Sequence, residues 1–395
     1  MARAPKAIIK PAVLAWLREA SGLTLDEAAR KIPTRPDNLI AWETGEAQPS
    51  MPQLRKLAKA FKRPISYFYL PQPIVEPDIP HDFRRLPDAG DHRYSPALLH
   101  EIRLAYRRRE LALDLTKELG TEIPKFAPFN SMVTTDNPEN VAERLREIVD
   151  INYKLQSSWR DSRKSYNGWR EKIEATGVLV FQVTTVEIQQ MLGFSLAYLD
   201  LPIIAINRKI AVNGRTFTML HEFSHLMLGE GGLCDIDDKL PRAPHEQNVE
   251  VFCNHVAGAA LIPRDELLAH NLVIVGGNRP RDWDDNILAA LARDFGSSEH
   301  VVLRRLLITN LTTQAFYARK SAEYAARYER LAKAQREQAA GNFRRNMPQE
   351  AVSNLSSFAK LILDSYHSDN ISLTDASKYL GVRAEKVATV EELTR

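Results

Sequence analysis

Residues 216–230 read TFTMLHEFSHLMLGE, and one turn of that run holds His221, Glu222 and His225 between Met219-Leu220 and Leu226-Met227-Leu228. A stretch this apolar belongs in a core. A core accepts two imidazoles and a carboxylate only if they are hydrogen-bonded, paired or bound to a metal. The chain must therefore fold so that a second element meets this helix at that turn. Residues four apart share a helix face, so His221 and His225 can aim both rings at one point. Glu222 lies ~100° further round. From there it is poorly placed as a third ligand but well placed to reach a water on an ion, which is the mechanical content of H-E-x-x-H. A bound metal lowers the pKa of its water from ~15.7 to about 7, and a carboxylate base then suffices to direct it at a carbonyl carbon. The plainer alternative is a half-buried helix whose histidines only cap or hydrogen-bond.

A catalytic zinc takes three protein ligands and keeps one position open. Position 231 is Gly, so no histidine follows six residues after His225. Asp235, Asp237, Asp238, His245, Glu246 and Glu250 are the downstream candidates. Geometry favours Glu250. It falls on an expected helix, NVEVFCNHVAGAALIP, where Val249, Phe252, Val256 and Ala260 form one apolar stripe and Glu250 and Asn254 share the neighbouring face. A helix holds a ligand more rigidly than a Gly/Asp loop does. Asn254 would then stand within reach of an imidazole N–H, the kind of partner that orients a zinc-bound histidine. The alternative is a solvated Glu250.

Around this pair of helices the chain changes period. VLVFQV (178–183), FSLAYLD (194–200) and PIIAINR (202–208) are rich in β-branched and aromatic residues and read as strands. Helices are expected at about 96–119, 138–151, 160–176, 213–229, 247–261 and 316–340. ILAALARDFGSSEHVVLRRLLITNL (286–310) reads as two short helices around GSS, and 348–395 as a small helical segment. The latter contains SLTDASKYLGVRAEKVATV, which like the stretch before residue 310 has helix-turn-helix spacing. In both, apolar residues at helical period point to a core rather than to base reading.

Towards the N-terminus, residues 11–70 form short helical stretches separated by Gly and Pro, with a capping box at Thr24 and Glu27. Residues 71–95 hold many prolines and few apolar groups, which suits a linker or strap. Residues 1–70 carry 12 Lys/Arg against 6 Asp/Glu, although the whole chain is only +3. That local excess suits an anionic partner. No apolar run approaches ~18 residues, so no membrane span is expected. Lys10 and Pro11 interrupt any leader-type apolar segment. The two cysteines, Cys234 and Cys253, fit a reducing compartment, and a cytoplasmic protein is expected.

FTMLHEFSHLML followed by EVFCNHVAGAALIP resembles the ImmA/IrrE family of zinc metallopeptidases, over roughly residues 96–312. Glu250, Asn254, Ala257, Leu261 and Pro263 match the second family motif in register. Ser224, Cys253, Val256 and Gly258 depart from it, and none of them is a ligand or the base. The resemblance implies zinc held by His221, His225 and Glu250, Glu222 as general base, and cleavage of a protein substrate. By the same resemblance, that substrate is a helix-turn-helix repressor in a stress or mobile-element circuit. A transcriptional regulator or antitoxin, whose peptidase-like fold grips a toxin and hydrolyses little, is the alternative. Upstream, TLDEAARKIPTRPDNLIAWETGEAQPSMPQLRKLAKAF resembles an Xre-type helix-turn-helix domain, most specifically in WETG and Pro49. That implies Arg35, Asp37 and Asn38 at a DNA groove and Arg55, Lys56, Lys59, Lys62 and Arg63 near phosphates. The alternative is a docking or dimerisation module, and a second copy in a homodimer is one partner considered for the chain.

The expected fold is mainly α with a small β-sheet. It comprises a five-helix Xre-like bundle (1–70), a Pro-rich linker (71–95) and an α+β gluzincin-like metallopeptidase domain (96–285). A helix-turn-helix-like extension (286–340) and a C-terminal helical segment (341–395) complete it.

Overall fold

The structure is a computed structural model that describes residues 5–75, 81–82, 94–159, 161–234, 244–277, 279–338 and 346–394. The chain divides into two compact units, Met1–Ile79 with Asp88–Arg108, and Pro80–Pro87 with Arg109–Arg395.

In the first unit α1 (Pro11–Glu19), α2 (Leu25–Lys31), α3 (Pro36–Thr44) and α4 (Met51–Ala60) precede a short 3-10 turn, Ile65–Tyr69. This 3-10 helix is the fifth of the expected helices. Thr24 with Glu27 and Ser50 with Gln53 form capping boxes that start α2 and α4. Such boxes satisfy two N-terminal N–H groups reciprocally. Gly45 ends α3 at φ +88, and a Cβ there would meet Pro11 Cγ at 3.0 Å. Leu14, Leu17, Leu39, Leu54, Leu57, Phe61 and Phe68 are buried around Trp42. Arg18 joins α1 to α3 by donating to both Glu43 oxygens at 2.8 and 3.0 Å. The start of α5 (Pro96–Glu118) belongs to the same unit, where Arg103 donates to the Ala20 carbonyl and Arg107 to the Tyr67 hydroxyl.

The second unit places α6 (Pro138–Ile148), α7 (Tyr153–Ser158) and α8 (Ser162–Glu174) before its sheet. The three expected strands are β2 (Leu179–Val183), β3 (Gly193–Leu196) and β4 (Ile203–Asn207). Two short strands are additional to that expectation, β1 (His81–Asp82) and β5 (Gly232–Cys234). The order is β1-β5-β3-β4-β2, with β2 parallel to β4, β3 antiparallel to β4 and β5, and β1 parallel to β5. β3 ends four residues earlier than expected. The chain turns at Leu201 (φ +47), and Arg109 holds the turn by donating to the Asp200 and Leu201 carbonyls.

Every residue of β2, β3 and β4 is buried, which requires cover on both faces. On one face Val180, Ile204 and Ile206 share a core with Trp169 and Ile173 of α8 and with Leu220 and Phe223 of α9 (Val212–Leu228). α10 (Pro244–Leu261) packs on α6 and α9. Beyond it lie α11 (Arg264–Leu268), α12 (Asn271–Ile274), α13 (Asp285–Asp294), α14 (Glu299–Ile308) and α15 (Gln314–Gln338). Leu288, Leu291, Phe295, Val302 and Leu306 of α13, α14 and the turn between them belong to the core of the site helices. Arg305, fully buried, donates to both Glu139 oxygens (2.6 and 2.8 Å) and to the Ile262 carbonyl, fixing α14 to α6 and the end of α10. The helix-turn-helix spacing before residue 310 therefore builds a core.

The other face of β2 meets α16 (Met347–Leu355) and α17 (Ser357–His367). Phe358 packs edge-on to Phe181 at 5.6 Å. Gln182 and Arg170 both donate to the Ser353 carbonyl at 2.7 Å, and Ser356 donates to Glu174 at 2.7 Å. α18 (Leu373–Leu380) and α19 (Val387–Thr394) bury Ala376, Leu380, Val387 and Val390 against these two helices. Among the described residues no helix is long and apolar enough to cross a membrane.

Candidate active site

The expected apolar helix forms α9, and His221, Glu222 and His225 all lie buried within it. α10 packs against α9 and presents Glu250, also buried, from its middle. The structure brings three of the sequence candidates together. His225 Nε2 stands 3.1 Å from His221 Nε2 and 3.1 Å from Glu250 Oε1, and His221 Nε2 is 3.5 Å from Glu250 Oε2. Ligands about 2.0–2.1 Å from one tetrahedral ion stand ~3.3 Å from each other. The observed spacings bracket that value, so the donor set fits a zinc-sized cation. Among the described residues this is the one group of three or more His, Cys, Asp or Glu side chains that could hold a metal.

The other ligand candidates do not join it. His245 is exposed, with Glu230 at 3.8 Å, and Glu246 lies on the first turn of α10 outside the group. Asp235, Asp237 and Asp238 lie outside the described residues, as does the side chain of Cys234. Asn254 is buried on α10, one turn beyond Glu250. Cys253 is fully buried and packs with Val249, and burial pushes its thiol pKa well above the usual range. That environment suits a core thiol. Ser224 donates to the Leu220 carbonyl at 2.8 Å, so its hydroxyl is satisfied within α9.

Electrostatics separate the two carboxylates. Burial pushes Glu250 upward, but the charges and hydrogen bonds of His221 and His225 outweigh it and hold Glu250 well below the usual carboxylate range. Burial dominates at Glu222 and raises it, against the pull of His221, His225 and Ser195. The two imidazoles thus favour the charged form of Glu250. Glu222 is a carboxylate with appetite for a proton, beside the donors but not among them. Neither Glu222 oxygen makes a hydrogen bond of ordinary geometry to a described residue. A buried carboxylate left so is costly and calls for a functional or bound-partner explanation.

Two residues of β3 escape sequence reasoning. Gly193 faces α9, and a Cβ there would lie 2.7 Å from Glu222 Oε1 and 2.8 Å from Thr218 Cγ2. The strand has no side chain at that point because the carboxylate fills the space. Ser195, two residues on, is fully buried on the same face. The visible signal is the alternation of small residues in GFSL, at positions that would otherwise carry bulky strand residues. β3 is an inner strand of the sheet. It is paired with β4 on one side and β5 on the other.

In the first unit Arg35, Asp37 and Asn38 lie exposed at the start of α3, and Asn38 donates to Thr34 Oγ1 at 3.1 Å. Arg55, Lys56 and Lys59 are exposed along α4. Arg63 is not on that surface. It is 5% exposed, with its guanidinium over the Trp16 and Tyr67 rings.

Residues 174–307 match the peptidase family described as an IrrE N-terminal-like domain, and residues 14–68 match the helix-turn-helix family. A search of curated proteins gave no match.

Proposed function

We propose that this chain, an IrrE/ImmA-like peptidase-family domain joined to an Xre-type helix-turn-helix domain, is a zinc-dependent endopeptidase and transcriptional regulator that cleaves a helix-turn-helix repressor. The observation that supports the reading is Glu222, a wholly buried carboxylate beside a converging His-His-Glu set. A pure binding scaffold has no use for such a group.

His221, His225 and Glu250 would hold the ion. Zinc, when bound, supplies Lewis acidity that makes water a nucleophile near neutral pH and polarises a carbonyl. Glu222 takes the proton of the attacking water on a carboxylate oxygen and delivers it to the departing amide nitrogen. His221, Glu222, His225 and Glu250 are themselves buried, which keeps the local dielectric low. Charge–charge interactions there act over a few ångströms with little screening. The helix-turn-helix unit, with Arg35, Asp37 and Asn38 at a groove and Arg55, Lys56 and Lys59 at phosphates, would bring the enzyme to duplex DNA or to the repressor bound there.

The test uses the full chain, metal analysis, and the purified helix-turn-helix repressor encoded nearest to its gene. Stoichiometric zinc and cleavage that disappears in Glu222→Gln, with zinc retained, are expected. Cleavage at the normal rate by Glu222→Gln removes Glu222 from its role. A tight, uncut complex with a neighbouring toxin would replace the enzyme by an antitoxin-like regulator.

A further inference from the structure

The wall opposite Glu222 is built by β3. Alternation along the strand sends Gly193 and Ser195 to the α9 face and Phe194 and Leu196 to the other. The pairing register agrees, since Gly193 lies opposite Ile206 and Ser195 opposite Ile204, and both isoleucines join the α9-side core. Gly193 leaves room for the carboxylate, with Glu222 Oε1 2.7 Å from where a Cβ would be. Ser195 then presents the next group along the same wall. Its hydroxyl is fully buried and has no hydrogen bond of ordinary geometry, as is true of both Glu222 oxygens. The two are neighbours close enough for the Ser195 hydroxyl to act on the Glu222 carboxyl. A donor and an acceptor, each costly to leave unmade in a dry site, thus face each other across the gap that Gly193 opens.

We propose that Ser195 is the positioning residue for Glu222: its hydroxyl donates to one carboxylate oxygen during turnover and holds the other towards the His221–His225–Glu250 set. This rests on the reading of Glu222 as base. The strand side chain fixes the rotamer, and the helix supplies the carboxylate. Ser195 acts through Glu222 and touches neither substrate nor ion. Hydrogen bonds to a charged group are stronger than neutral ones, and a carboxylate anchored through one oxygen has lost most of its rotational freedom. A group held within a fraction of an ångström of its working position is worth about 100-fold in rate over one that has slipped by ~1 Å.

The test is a cycle of Ser195→Ala, Glu222→Gln and the double variant. Each is measured for zinc content, for thermal stability of the metal-free chain, and for cleavage of the neighbouring repressor. A merely structural Ser195 makes a distinct forecast. Removing an unbonded buried hydroxyl would then stabilise the protein, leave kcat unchanged, and give the same shift in melting temperature with or without the Glu222→Gln change. The positioning role forecasts unchanged zinc content and KM, with kcat lower by at least 10-fold in Ser195→Ala. It also forecasts that the stability effect of Ser195→Ala differs between the unaltered chain and the Glu222→Gln variant. Additive stability effects together with an unchanged kcat overturn the proposal, as does a rise in KM with kcat intact. The stability arm needs no activity. Should Glu222→Gln cleave normally, the catalytic reading falls, while coupling between residues 195 and 222 still decides whether the contact exists.

Discussion

Gly193→Ala isolates the fit between β3 and Glu222, the proposed base. The added methyl would start 2.7 Å from Glu222 Oε1, 2.8 Å from Thr218 Cγ2 and 3.2 Å from the Ala205 carbonyl oxygen. Carbon–carbon contacts settle near ~3.5 Å or beyond, so the Thr218 methyl and the strand must separate by about 0.7 Å. The carboxylate must retreat by a similar amount. The Ala205 oxygen is backbone in the paired strand β4, so the strain cannot be relieved by moving β3 towards it. Overpacking of this kind costs about 1–3 kcal/mol. A displaced base costs ~100-fold in rate per ångström, so kcat should fall roughly 10- to 100-fold. None of the three atoms nearest the new methyl belongs to His221, His225 or Glu250, so zinc stoichiometry should hold. The assay is zinc analysis, thermal unfolding, and kcat for cleavage of the neighbouring repressor. A variant with normal kcat and a normal melting temperature would show that Glu222 does not occupy the space above Gly193 in the working protein.

Three further outcomes follow from other parts of the molecule. Arg305→Met removes a fully buried guanidinium that bonds both Glu139 oxygens and the Ile262 carbonyl. It should cost about 3 kcal/mol in urea unfolding, the low end for breaking a buried pair, because Glu139 keeps 23% of its side-chain surface exposed. The same pair sets an acid limb. Burial pushes Glu139 up, but bonds from His255 and Arg305 pull it down to about 2. Its folded pKa thus lies below its unfolded value. The stabilisation is complete above about pH 4.5. It disappears as pH falls towards 2. The loss in that window should be shallower in Arg305→Met, and an identical acid limb would refute the assignment. For the basic face, Lys56→Ala in the full chain should lower the slope of log affinity for duplex DNA against log salt by ~0.9 if Lys56 meets a phosphate. Fluorescence anisotropy across a salt series reads this directly, and an unchanged slope removes Lys56 from the interface.

The site helices are legible because their chemistry is written at helical spacing. His221 and His225 sit four apart, and Glu250 with Asn254 repeats that interval on the second helix. The short strands β1 and β5 are not legible. Two and three residues carry no periodicity, and their pairing is fixed by partners remote in sequence. The same holds for Ser195, whose meaning depends on a carboxylate 27 positions later that only the packing of β3 on α9 brings near. Arg63 misleads in the opposite sense. A Lys-Arg pair after α4 reads as a phosphate contact, yet cation–π packing on Trp16 and Tyr67 takes the arginine inward. Composition cannot separate those two fates of one guanidinium.

The last helices finish what the middle of the chain begins. Phe358, Ser353 and Ser356 complete the cover over Phe181, Gln182 and Glu174. On a ribosome, a polypeptide that has emerged only through α15 already owns both histidines and Glu250, but its sheet still shows an apolar side to water. The strand layer beside the two histidines is thus closed by residues far along the chain, so loosening α16 or α17 would uncover Phe181 and Gln182 of β2.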